Sequence, residues 1–181
     1  MSESFKDITA GGDVTGRDKY TINNILPSPT QIDKLNELYN QEINQNPQFE
    51  NLIDELEHYS SSRHSNRDLS SKLESAGFEY LIDEAEEFKE SISKIIIKQQ
   101  NYKSAQKIIT FLLADTQSIF NNTMKPKIKN INDETMVREI IKEYLEDKIS
   151  DGLGENVLEL YNRQIKGMMY FLTGNCHIEW E

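Results

Sequence analysis

Apolar residues recur at intervals of three and four along most of this chain, the spacing that lines one face of an α-helix. Thr30 can cap a first helix whose inward stripe is Ile32, Leu35, Leu38 with Tyr39, and Ile43. Asn46-Pro47 breaks it. A second helix turns Phe49, Leu52, Ile53, Leu56 and Tyr59 inward and gives way to a serine-rich loop over 60–66. Asp68 caps a short helix carrying Leu69 and Leu73, which Gly77 ends. Residues 78–100 and 102–123 read as two long helices, the first with Leu81, Ile82, Ala85, Phe88, Ile92, Ile95 and Ile96 on one stripe. The second carries Ala105, Ile108, Ile109, Leu112, Leu113, Ile119 and Phe120, and Pro126 should end or kink it. Asn132 or Asp133 caps another helix, with Met136, Val137, Ile140, Ile141, Tyr144, Leu145 and Ile149 inward. Gly152 and Gly154 mark a turn, a last helix spans about 155–172, and Gly174 stops it.

Both ends break this rhythm. Residues 5–24 mix Ile8, Val14, Tyr20 and Ile22 with Gly11, Gly12 and Gly16, which suits a small β-ribbon with tight reversals. A ribbon that short cannot bury itself. It needs the helical body, another copy or another protein. His177-Ile178-Glu179-Trp180 alternates like a short strand, and the two ends could pair. The expected fold is therefore mainly α: a helical domain of six or seven helices over 28–181, a Gly-rich β-ribbon and linker over 1–27, and a short C-terminal strand.

Composition sharpens the picture. The 181 residues suffice for a real core. The formal net charge of −11 argues against direct nucleic-acid binding, but the charge is uneven. Lys94, Lys98, Lys103, Lys107, Lys125, Lys127 and Lys129 face one acid, Asp115, a balance of +6, whereas residues 50–90 hold twelve acids against four bases, a balance of −8. The lysine-rich stretch is the candidate face for nucleic acid. The acidic stretch is a candidate for a basic partner. One cysteine, Cys176, excludes an internal disulfide and fits a reducing cytoplasm. Met1-Ser2-Glu3-Ser4 does not open a signal peptide, and Ile95-Ile96-Ile97 is too short to span a bilayer.

Candidate chemistry is sparse. Gly11 and Gly16 have P-loop spacing, but Arg17 and Asp18 follow where Lys and a hydroxyl are needed, and Asp18 would repel phosphate. Glu55 and His58 make one Glu-x-x-His, yet a di-iron site needs two and further carboxylates. Cys176 could be a nucleophile only with a distant histidine, His58 or His64, because adjacent His177 would point to the opposite face of a strand. No metal, cofactor or catalytic set is expected.

Two stretches resemble known bacterial proteins. Gly11-Gly12-Asp13-Val14-Thr15-Gly16-Arg17-Asp18-Lys19 resembles the GDVxGRDK signature of conflict proteins, and Gly167-Met168-Met169-Tyr170-Phe171-Leu172-Thr173-Gly174-Asn175-Cys176-His177-Ile178-Glu179-Trp180 resembles the end of a C-terminal domain of ABC-three-component systems. The resemblance implies a role in anti-phage or anti-plasmid defence of the Lamassu kind, in which an SMC-like ABC ATPase works with a middle component and an effector. Such a domain attaches the effector to the complex. No toxic domain precedes the helical region, so the chain looks like a cytoplasmic, non-enzymatic attachment module. The residues marked for contact are Gly11, Gly12, Asp13, Gly16, Arg17 and Asp18, with Trp180 in the tail.

Overall fold

In a computed structural model, described at residues 30–45, 51–62 and 67–181, the chain is mainly helical. Among the described residues seven helices follow one another: α1 (Gln31–Gln45), α2 (Asp54–Ser60), α3 (Leu69–Ser75), α4 (Ile82–Gln99, led in by a 3₁₀ turn at Glu79–Leu81), α5 (103–128), α6 (134–152) and α7 (Asn162–Gly174). Short-range caps start several of them. Thr30 and Asp33 bond reciprocally through side chain and backbone at α1. The Asp68 and Asp133 carboxylates accept from the amides of Ser71 and Met136 at α3 and α6.

Helix α5 sits centrally, touching α1, α2, α4, α6 and α7. Its buried Gln106 pins the neighbouring turns: its carbonyl accepts from the Ile53 amide at 2.7 Å, and its amide donates to the Asn51 and Gln100 carbonyls. The most extensive helix–helix contact among the described residues is that of α4 with α7. Gly167 of α7 faces the Phe88 carbonyl and the Ile92 side chain of α4. One apolar cluster joins all seven helices and the tail.

Leu38, Ile43 and Met136, read as inward, lie exposed, and the structure departs from the sequence reading in four further places. Pro126 does not end α5. A π turn at Phe120–Met124 precedes it, and the helix continues to Ile128; the widened turn absorbs the break in the hydrogen-bond ladder that proline imposes. The last helix starts at Asn162, not near 155, because left-handed Gly154, Asn156 and Glu159 hold residues 153–161 in a loop. Gly174 is the last helical residue rather than the stop. No strand forms at 177–180. Ile178 and Trp180 are both buried, as is His177, without pairing with an edge. The proposed β-ribbon over 5–24 lies outside the described residues.

Candidate functional site

Among the described residues, three further polar clusters lie near the sequence-marked positions. The first is the tail. Helix α7 ends with His177 N–H donating to the Leu172 carbonyl at 2.8 Å and Cys176 N–H to the Thr173 carbonyl at 3.1 Å, a helix stop that needs a left-handed residue at its corner. Helix α3 ends in the same bonds around Gly77 (φ 82); at α7 the corner is Cys176 (φ 62). A β-carbon is unfavourable there. Cys176→Gly is expected to stabilise the protein by about 0.5–1 kcal/mol, read as a raised Tm. A lowered Tm would mean that Sγ, whose contact is the Gly174 carbonyl at 4.0 Å, contributes more packing than its geometry indicates.

That stop folds the tail back onto the body. The Trp180 ring, 4% exposed, sits 5.3 Å from Phe78 and 4.9 Å from Phe120, centroid to centroid. Its Nε1 donates to Thr173 Oγ1 at 3.0 Å. Glu179 meets Lys72 Nζ at 2.9 Å. Lys72 is 1% exposed and donates also to the Thr173 carbonyl at 3.0 Å, so its ammonium is buried but bonded, as a buried charge must be. Arg67 holds Glu179 and Glu181 from the solvent side.

The second cluster lies behind this turn. Buried His177 places its ring 5.1 Å from exposed His58 and 5.2 Å from Tyr59. Gln117 Nε2 donates to the His177 carbonyl at 2.9 Å, and Asn175 Nδ2 to the Tyr59 carbonyl at 3.0 Å. The fold therefore brings His58 to the residue next to Cys176; His64 lies outside the described residues. Glu55, Asp54 and His58 line a shallow surface cavity. Among the described residues, no group of three or more His, Cys, Asp or Glu could hold a metal ion.

The third cluster is a polar seam between α4, α6 and α7. Glu84 accepts from the Tyr170 hydroxyl at 3.0 Å and meets Arg138 at 3.2 Å and Lys166 at 3.3 Å. Lys166 reaches on to Glu146 at 3.9 Å. Burial, with Glu84 alongside, pushes the Tyr170 hydroxyl well above its ordinary range. Burial also raises the Glu146 carboxyl, and Lys166 only partly offsets it. A carboxyl raised on folding holds its proton longer in the folded state. Stability therefore falls as pH rises from the ordinary carboxyl value, about 4.3, through the raised folded value. Glu146→Gln is expected to remove that loss, stabilising the protein at neutral pH by about 1 kcal/mol or less, with the gain gone below about pH 4. Melts at both pH values check it; destabilisation at neutral pH would show that the Lys166 pair outweighs burial.

On the surface, the seven lysines do not form one face. Lys94, Lys98, Lys103 and Lys107 gather near the α4–α5 turn, whereas Lys125, Lys127 and Lys129 lie at the far end of α5. From 103 to 129 a helix advances about 39 Å. Lys94 is paired with Glu90. No described helix is long and apolar enough to cross a membrane.

Of the residues marked for contact, Gly11, Gly12, Asp13, Gly16, Arg17 and Asp18 lie outside the described residues, and Trp180 is inside the body. The sequence reading missed Lys72, although it stands three residues after Leu69 and one before Leu73, on the apolar face of α3. It also missed Glu84, which sits in an acidic run that looks uniformly solvated.

Among known families, the chain matches the model of C-terminal domain 9 of the ABC-three component (ABC-3C) systems over residues 68–180. That span runs from the cap of α3 to Trp180 and contains the tail and the polar seam. No curated protein and no solved structure matches the chain.

Proposed function

The chain belongs to the C-terminal domain 9 family of the ABC-three-component systems, and from that premise we propose that it is an assembly component of such a system, acting without catalysis. In this reading it is a cytoplasmic adaptor that binds an SMC-like ABC ATPase and its middle component in anti-phage or anti-plasmid defence. The observation that carries the reading is the family match over 68–180. Within that span three buried ionisable groups fix helix to helix: Lys72 on the α7 terminus, Tyr170 on Glu84, and Glu146 beside Lys166. Groups tied into the frame in this way favour a rigid docking body over a reactive centre.

Co-purification tests the proposal. The tagged full chain, co-expressed with an SMC-like ABC ATPase and a middle component of an ABC-three-component system from the same genome, is expected to recover both in fixed ratio. Recovery of the chain alone would overturn the reading. Cys176→Gly is expected to leave the complex and any protective activity unchanged; lost protection from an intact complex would instead point to thiol chemistry at Cys176.

A further inference from the structure

One side of α5 is left open. Its Thr110, Phe111 and Ala114 floor a trough between the first turn of α1 and helix α2. Three adjoining cavities of about 220, 360 and 410 Å³ form it. The first two share Gln31 and Phe111; the last two share Glu55, Thr110 and Ala114. Phe111 is only half-buried and Ala114 is exposed, so the floor is apolar and uncovered by any described helix.

We propose that this trough is the docking site of the chain's own N-terminal segment, residues 20–26. Three observations converge. Thr30 and Gln31 line the near end of the trough, so the preceding residues join the body at its mouth. Residues 20–29 carry no charge in a chain that is 28% charged, and Tyr20, Ile22, Ile25 and Leu26 supply the apolar side chains that such a floor accepts. The reach also suffices: ten extended residues cover about 33 Å, and the trough crosses roughly two helix diameters, about 20 Å. Tethering acts in the same direction. A segment joined at the rim has an effective concentration on the order of millimolar, so modest apolar burial is enough to keep it seated against free competitors.

The test uses the full chain with p-benzoylphenylalanine in place of exposed, rim-lining Asp115. Isotopically light and heavy preparations are mixed, irradiated and mapped by mass spectrometry. Adducts on residues 20–26, light with light and heavy with heavy, are expected. Mixed light–heavy adducts would assign the trough to another copy, and absence of adducts on 20–26 would leave it to a partner; either overturns the proposal. Ala114→Arg, at an exposed position that folding tolerates, is expected to cut the adduct at least tenfold without lowering the Tm. An adduct that survives it undiminished also overturns the proposal.

Discussion

Gly167→Ala is expected to destabilise the protein by about 3 kcal/mol, although alanine is the better helix former by about 1 kcal/mol. A β-carbon at Gly167 would lie 2.7 Å from the Phe88 carbonyl oxygen and 2.9 Å from Ile92 Cγ1. The Phe88 oxygen belongs to the α4 backbone and cannot swing aside as a side-chain tip can. The clash is relieved only by moving α7 off α4, the most extensive helix pair of the body, and the rigidity of a close-packed core makes that costly. Gly152→Ala is the control. Nothing lies within 4 Å of a β-carbon there, so a change within about 0.5 kcal/mol is expected. Urea melts of both variants decide the matter. Equal stabilities would show that α4 and α7 can separate without loss.

Trp180→Ala is expected to cost about 3–5 kcal/mol, in the range of large-to-small changes at buried aromatics. The ring is enclosed by Phe78 and Phe120, and its indole N–H is bonded to Thr173. Its removal opens a void and frees the tail that carries Glu179 to Lys72. Trp180→Phe, which keeps an aromatic ring but loses the N–H bond, is expected to cost less, about 1–2 kcal/mol. Because Trp180 is the only tryptophan, the wild-type emission should be blue-shifted and shielded from iodide. A red, quenchable emission with unchanged stability on mutation would place Trp180 on an exposed surface and make it a partner anchor instead.

Helix existence was legible where its cause is local. The Thr30, Asp68 and Asp133 caps act over three residues, and the apolar stripes of α4 and α5 repeat within a few turns. The site was not. Lys72 reaches a carbonyl 101 residues away, and Tyr170 a carboxylate 86 residues away. Nothing near Glu84 in sequence separates it from Asp83, Glu86 and Glu87, all three of which are exposed, Glu87 pairing with Arg163 at the surface. The tail shows the boundary within four residues. Alternation marked Ile178 and Trp180 for burial, and both are buried, but so is His177 of the intervening register; alternation also implied a strand, and strand formation requires a second edge that the pattern cannot supply.

By itself, the sequence determined the helical class, the starts of the capped helices and the charge asymmetry, because periodicity, capping and composition operate within a turn or two of the chain. Only the tertiary structure decided that Gly167 is a contact rather than a weakness, that Cys176 occupies a helix-stop corner, and that the lysines divide between two ends of α5. Each depends on which surfaces meet, and that is settled by packing between residues distant in sequence.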